Sequence, residues 1–274
     1  MEIQMLLQRQ KAASILTKHV SFASIHPNSM KSGDLMPGMG TIINTLAILA
    51  GGIFGALFGR FLSDSAQDTL TKVCGISTLF IAVSGALEGM LTVENGAIVS
   101  GGGMLIIGCL AIGAFVGELM DIEGGFERFG EWLKIKSGNA KDKGFVNAFV
   151  TASLTVCIGA MAIVGSIQDG LQGDYSILAT KAILDLIIIM VMSCSLGKGA
   201  VFSAIPVAIF QGSITLLSGF VKPVMTPAAL DNLSLVGNVL IFCVGINLVW
   251  GKKIKVANLL PAIVVAVAAA FLPM

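Results

Sequence analysis

Charge is scarce in this chain. Seventeen basic and sixteen acidic residues are all that 274 positions carry, 12% in total, about half of what a soluble domain of this size holds. The near balance, a formal net charge of +1, gives no reason to expect a nucleic-acid partner. The two histidines, His19 and His26, both precede residue 39, so no imidazole is available further along as a base or metal ligand. The five cysteines stand singly at 74, 109, 157, 194 and 243, with no Cys-x-x-Cys spacing, which removes a disulfide framework and a thiolate metal site. Also missing are His-Glu-x-x-His, Gly-x-Ser-x-Gly and a phosphate-binding loop, since Leu196-Gly-Lys198-Gly lacks the required spacing. ATP-driven transport by this chain alone is thereby excluded, and no cofactor is expected.

Apolar residues are abundant: 55% of the chain, with a mean hydropathy of +0.91. They are arranged in eight runs of about twenty residues, at 41–60, 70–90, 98–118, 144–168, 176–196, 200–219, 231–250 and 256–273. A helix of roughly twenty apolar residues spans the ~30 Å hydrocarbon core of a bilayer. The expected fold is therefore all-α and polytopic, with about eight transmembrane helices in one domain over 39–274. Residues 1–38 are polar, of mixed charge and without the apolar stretch of a secretory signal. They read as an extension, disordered or non-native, with Met36 or Met39 as the expected true start.

Alternating crossings place Arg60, Lys72, Arg128, Lys134, Lys136, Lys141, Lys143, Lys198, Lys252, Lys253 and Lys255 on one side, and Lys222 on the other. The excess of basic residues in short loops marks the cytoplasmic side. Loops 119–143 and 251–255 are accordingly expected in the cytoplasm, and both ends of the membrane domain outside. Within 121–137, Ile122, Phe126, Phe129 and Leu133 recur at helical spacing against Glu123, Glu127, Arg128, Glu131 and Lys134. That pattern predicts an interfacial amphipathic helix with Trp132 at headgroup level.

Two parts of the chain echo each other. Gly52, Leu57 and Gly59 match Gly212, Leu217 and Gly219 at an offset of 160, and Gly75, Phe80 and Gly89 match Gly237, Phe242 and Gly251 at 162, with Asn95 near Asn258. Spans one to three thus resemble spans six to eight, and the odd separation implies an inverted repeat, a pattern of secondary transporters. A fainter echo links 71–89 with 180–198. Ala47, Gly51, Gly55 and Gly59, four apart, form a smooth stripe for close helix packing, either inside the fold or in a homo-oligomer.

Polar residues inside such spans are costly and point to function. Lys181 and Asp185 lie four apart in span five, on one face, with Asp185 about ten residues into the run. Span four carries Thr151, Thr155, Gly159 and Ser166 and ends on Gln168-Asp169-Gly170; span six carries Ser203, Gln211 and Thr215; span one carries Asn44. Pro206 and Pro261 remove backbone donors and are expected to break spans six and eight, freeing carbonyl oxygens. Asp185, Lys181, Ser166, Gln168, Asp169, Ser203, Gln211 and Asn44 are the candidate ligands for a small solute or ion, with Asp185 as proton or cation ligand. Asp169 and Asp174 in the outer loop would attract cations. Glu88 and Glu118 sit at span ends and rank lower.

The stretches Phe149-Val-Thr-Ala-Ser-Leu154, Cys157-Ile-Gly-Ala-Met-Ala-Ile-Val-Gly-Ser-Ile-Gln-Asp-Gly170, Thr180-Lys181 with Asp185, Phe202-Ser203-Ala-Ile-Pro206 and Gln211-Gly-Ser-Ile-Thr215 resemble the YqgA-like bacterial membrane proteins, a family labelled as a domain of unknown function. So do Gly40-Thr-Ile-Ile-Asn44, Gly117-Glu118 with Asp121-Ile-Glu123, and Lys253-Ile-Lys255-Val-Ala-Asn258-Leu-Leu-Pro261. The resemblance covers 39–273. It implies a multi-pass protein of the bacterial cytoplasmic membrane with suspected transport, and it supplies no substrate. Three readings compete: a secondary transporter or channel-like carrier; a scaffold or partner subunit, suited by the glycine stripe and the surface helix; and an intramembrane enzyme using a Ser–Lys dyad on Lys181, the least supported. A mid-depth cavity lined by Asp185, Ser166 and Gln211 would favour the first, a solid core the second.

Overall fold

The computed structural model describes residues 37–94 and 96–272; the reading of residues 1–38 as an extension falls outside them but for 37 and 38, and Asn95 of the repeat lies outside as well. The described chain is helical: α1 Met39–Gly59, α2 Asp64–Met90, α3 Gly103–Met120, α4 Ile122–Lys136, α5 Phe145–Cys157, α6 Ala160–Gln172, α7 Ser176–Leu196, α8 Ala204–Leu216, α9 Ser218–Val221, α10 Pro227–Trp250 and α11 Pro261–Ala269. Short 3-10 turns, Lys198–Ser203 and Val256–Leu259, lead into α8 and α11. Ser63 Oγ accepts from Ala66 N at the start of α2, and Thr226 Oγ1 from Ala229 N at the start of α10, two of the amides a helix otherwise leaves unpaired.

Six segments are single helices long and apolar enough to cross a bilayer: α1, α2, α3, α7, the run Lys198–Leu216 and α10. The other two expected spans differ from the sequence reading. Span four is broken: α5 and α6 meet at a 64° bend, because Gly159 takes φ 151°, a backbone shape that side chains disfavour. Span eight is a shorter apolar stretch, Val256–Ala269, about 21 Å at the helical rise and so less than the hydrocarbon thickness. Residues 98–100, assigned to span three, instead form the second strand of a hairpin, Leu91–Glu94 against Ala97–Ser100, with Leu91 opposite Ser100. Gly96, at φ 80°, takes the backbone shape that lets the chain turn back between the strands. The prolines do not kink their helices. Pro206 and Pro261 lie in the first turns of α8 and α11, where a missing amide hydrogen leaves no bond unmade.

Glycine decides which helices touch. A methyl group on Gly51, Gly55 or Gly59 would stand 2.3, 2.1 or 2.7 Å from the carbonyl oxygen of Leu186, Met190 or Cys194. The stripe of α1 is therefore consumed by α7 within the chain, and the two helices run parallel. Gly75, Gly85 and Gly89 on α2 face Leu248, Asn238 and Leu235 on α10, an antiparallel pair. Gly113 and Gly117 on α3 face Ala262 and Asn258, again antiparallel. Matched glycines of the repeat sit in unlike surroundings: Gly52 abuts Val201, whereas Gly212 meets only Thr41 Cγ2, at 4.0 Å. The core fills with Phe145, Phe149, Ile48, Ile189, Met192 and Leu240, while Ile42, Phe54, Phe58, Phe80, Ile107 and Ile183 face outward, as lipid-contacting positions do.

Helix α4 lies beside the start of α5. Gly130 and Leu133 face inward, Phe129 stacks on Trp132 at 5.8 Å and meets Phe149 edge-on, and Trp132 is half exposed. A polar clasp fixes the α3–α4 junction to the second 3-10 turn. Asn258 Oδ1 accepts from Glu123 N at 2.7 Å, Ala257 N donates to Glu123 Oε2 at 2.9 Å, and Glu118 accepts from Lys255 Nζ and Asn258 Nδ2. Lys252 pairs with Glu123 at 2.8 Å and with Glu127. Glu118, expected to be a lesser residue, thus belongs to a structural joint. Glu118 holds the Lys255 ammonium above its ordinary 10.5, and around Lys252 the pull of Glu123 and Glu127 exceeds the opposing effect of burial.

Two expectations follow for the detergent-purified protein. Gly55→Ala drives a methyl into a backbone carbonyl and should cost at least 1–3 kcal/mol, read as a lower melting temperature, whereas Gly212→Ala should be neutral or stabilising by up to about 1 kcal/mol. A lysine whose pKa is raised by folding stabilises fully below its unfolded value and ceases to do so as pH rises through the folded one. Melting should therefore fall as pH climbs past 10.5, and less steeply in Lys255→Met, where Lys252 is the titrating lysine left in the clasp.

Candidate functional site

The break at Gly159 ends α5 at Cys157 and leaves the carbonyls of its last turn without amide partners. Lys181 Nζ takes one of them, Val156 O, at 2.9 Å. The same ammonium meets both carboxylate oxygens of Asp185, at 2.8 and 2.7 Å. Its three hydrogens are thus spent on three oxygens, and the i, i+4 spacing on α7 sets the pair's geometry. Both residues are buried and face the interior, not lipid.

From α1, Asn44 Nδ2 donates to Asp185 Oδ2 at 3.0 Å and to Gln211 Oε1 of α8 at 3.2 Å. One turn nearer the start of α1, the hydroxyls of Thr41 and Thr215 meet at 3.3 Å. Asp169 Oδ2, in the last turn of α6, accepts from Gly40 N at 3.1 Å. The parallel packing of α1 on α7 aligns Asn44 with Asp185, and the antiparallel course of α8 brings Gln211 and Thr215 past Asn44 and Thr41. A polar column therefore runs from Asp169 and Thr215, at the end where α1 begins, to Lys181 and Asp185.

Six of the eight candidate residues are gathered here: Asp185, Lys181, Asn44 and Gln211 by direct hydrogen bonds, Asp169 through α1, and Ser166 one turn from Asp169 on α6. Two are not. Ser203 ends a 3-10 turn, and its hydroxyl donates back to Ala200 O at 2.7 Å rather than to the column. Gln168 is half buried and, on a helix of 3.6 residues per turn, points about 100° away from Asp169. Asp174 does not face an open mouth; its Oδ1 accepts from Ser176 N and Oγ, which hold its carboxyl below the usual range. Sequence reasoning missed the Val156 carbonyl, for which Gly159 amid an apolar run was the only signal.

Four buried polar atoms of the column have no hydrogen-bond partner: Asn44 Oδ1, Ser166 Oγ, Asp169 Oδ1 and Gln211 Nε2. No open cavity joins them to solvent by way of the vestibule at the basic end of the molecule. That vestibule, of about 570 Å³, is lined by Thr71, Glu127, Lys143, Thr151, Leu154 and Lys252 among others, and by none of Asp185, Ser166 or Gln211. It ends at Leu154, two residues before the carbonyl that holds Lys181.

Residues 39–271 match the family described as Protein of unknown function (DUF554), and the chain belongs to that family. It is similar to the uncharacterized membrane protein YdfK of Bacillus subtilis (strain 168), 29% identical over 226 residues, which are 82% of this chain and 93% of that protein. It is also similar to the uncharacterized protein YqgA of Escherichia coli (strain K12), 28% identical over 232 residues, 83% of this chain and 94% of that one. No solved structure matches. The resemblance read from the sequence is borne out, and the chain is a multi-pass helical membrane protein.

The saturated pair makes a sharp thermodynamic expectation. Lys181→Met strands a buried carboxylate and should destabilise by about 3–5 kcal/mol, whereas Lys181→Met/Asp185→Leu, which removes both charges, should cost less than the single change. Melting curves of the two variants and of Asp185→Leu complete the cycle.

Proposed function

We propose that this protein is a secondary transporter or channel-like carrier for a small polar solute or ion, not an enzyme, in a bacterial cytoplasmic membrane. The vestibule is not the expected mid-depth cavity, since Asp185, Ser166 and Gln211 do not line it; the observation that carries the reading is the set of four unpartnered atoms. All the buried side-chain atoms without a hydrogen bond among the described residues belong to this one column. Buried polar groups nearly always find partners, and each one left alone costs about 1–3 kcal/mol. A protein selected only to hold its shape has no reason to collect them between α1, α6 and α8. Together they offer acceptors at Asn44 and Asp169, a donor at Gln211 and a hydroxyl at Ser166, a complement for a small polar ligand. Broken helices at membrane depth are where transporters keep such sites.

Other features support the reading. Leu154 lines the vestibule, and Val156, two residues on, gives its carbonyl to Lys181 of the polar column, an arrangement that a carrier closed on one side would have. The helix directions agree with alternating crossings in which α5–α6 and residues 256–269 each count as one, and those crossings put the vestibule at the basic, cytoplasmic side. A Ser–Lys dyad is disfavoured, since the Lys181 hydrogens are taken up by Asp185 and Val156 and none by Ser166.

A thermal-shift screen of small polar solutes against the detergent-purified protein should find a ligand that raises the melting temperature by mass action. The shift should vanish in Gln211→Ala and Asn44→Ala, and the same ligand should move into proteoliposomes under an ion gradient. A ligand-free screen together with liposomes that move no solute under proton or sodium gradients would remove the carrier reading.

A further inference from the structure

Four charged side chains are buried among the described residues: Glu123, Asp169, Lys181 and Asp185. Lys181 and Asp185 neutralise each other, and Glu123 meets Lys252 at 2.8 Å. Asp169 has no cationic side chain beside it among the described residues. Its Oδ2 has one hydrogen bond, from the first-turn amide of Gly40, and its Oδ1 has none. Among the described residues Asp169 is therefore the one buried carboxylate of the column without a cationic side chain, met only by an amide at the start of α1.

The surroundings of that oxygen favour a cation. Asp169 sits in the last turn of α6, and Thr215 in the last turn of α8, whose carbonyl oxygen would be 2.3 Å from a methyl on Gly170. Helix C-termini present carbonyls and partial negative charge. Ser166 Oγ lies one turn inward from Asp169 on α6, and Asn44 Oδ1 one turn inward from Gly40 on α1; both are fully buried and unpartnered. Three spare oxygens, one of them on a carboxylate, are thus carried on two helices that the Asp169–Gly40 bond joins. One carboxylate without a cationic partner calls for one positive charge, a single rather than a double charge on the ion.

We propose that Asp169, Ser166 and Asn44 form a binding site for one monovalent alkali cation, sodium, which gives the Asp169 carboxylate its cationic partner. The inference rests on the carrier reading and divides its free atoms: sodium, as the coupling ion, takes those of Asn44, Asp169 and Ser166, and Gln211 Nε2 is left to the solute. Binding would neutralise Asp169 and join α6 to α1, so occupancy is coupled to how the half-helix beyond the Gly159 break sits on the rest of the molecule.

The test is thermal unfolding of the full chain in detergent, with sodium chloride exchanged for choline chloride at constant ionic strength. Sodium should raise the melting temperature in a saturable way, by about 3–5 °C at ten times its Kd. The shift should be lost in Asp169→Asn and weakened in Ser166→Ala. Asp169→Asn, which carries the neutral amide where the charge was, should melt in choline no lower than the unaltered protein does in choline. Binding of radioactive sodium by scintillation proximity gives a second readout, and Ser166→Ala supplies it should Asp169→Asn not fold. Equal melting in sodium and choline, a sodium shift that survives Asp169→Asn, or a response to pH alone, which would mean a proton on Asp169, overturns the proposal. A specific sodium shift with no solute flux would leave this site standing and remove the carrier; flux with no sodium shift would do the reverse.

Discussion

The interior is organised by the need to keep an ammonium group satisfied where water does not reach. Lys181 has three hydrogens and finds three oxygens, two on Asp185 and one on Val156. The third oxygen exists only because the helix around it stops. If residues 145–172 formed one straight helix, the Val156 carbonyl would accept from Ala160 N and Lys181 would lose it. The break at Gly159 and the ion pair on α7 are thus one feature. The break supplies the acceptor, and the lysine repays the cost of leaving a carbonyl unpaired in a low-dielectric setting. Asn44 extends the arrangement to α1, and its position depends in turn on Gly51 and Gly55, which let α1 approach α7 closely enough for an amide to reach Asp185.

That saturation changes where function is to be sought. Charged residues inside a membrane protein attract attention first, and Lys181 and Asp185 are the most conspicuous in the sequence. Yet the pair has no hydrogen left to donate and is built like a joint. The free capacity lies further along the same column, on neutral side chains and on Asp169, which forms no ion pair among the described residues. Ligands that enter the proposed carrier would complete Gln211, Asn44 and Ser166 without having to separate two buried charges, a step that would be slow and costly.

Much of this was legible in the sequence, and the reason is dimensional. Runs of twenty apolar residues have few alternatives in a bilayer, so the segments emerge directly from hydropathy, and the i, i+4 spacing of Lys181 and Asp185 places both on one face wherever the helix packs. The amphipathic period of 122–136 was equally direct. What hydropathy does not register is backbone direction. Gly159 reads like Gly113 or Gly165 in a list of small residues, but only its neighbours in space determine that it takes a positive φ while the others sit in helices. Pro206 and Pro261 were expected to break helices and instead begin them, because the 3-10 turns before them have the same composition as the helices they precede. Ser203 was a candidate ligand as a polar residue in an apolar run; it ends a 3-10 turn, and its hydroxyl bonds back into that turn at Ala200 O. Glycine stripes were visible, but whether they face a sister helix or a second copy of the chain is a tertiary fact, settled for α1 by the carbonyls of Leu186, Met190 and Cys194.

In the proposed carrier the same break would also be the moving part. Beyond Gly159, α6 is held by Asp169 on Gly40, by the close contacts of Gly165 with Leu178 and of Gly170 with α8, and by Ile163 and Ile167 in a core with Ala229, Leu233 and Val267. On the near side, α5 is anchored by Phe145 against Phe202 and by Phe149 against Phe129. The two halves thus have separate anchors, with Ile158 and Gly159 between them and the Lys181–Val156 bond beside the joint. A rotation of α6 about Gly159 would open the column at its outer end without disturbing α5 or the vestibule. A rotation of α5 would instead pull Val156 from Lys181 and expose the pair to the vestibule floor at Leu154. Alternating access requires two gates that do not open together, and in the proposed carrier a helix divided at Gly159 would let its halves move separately.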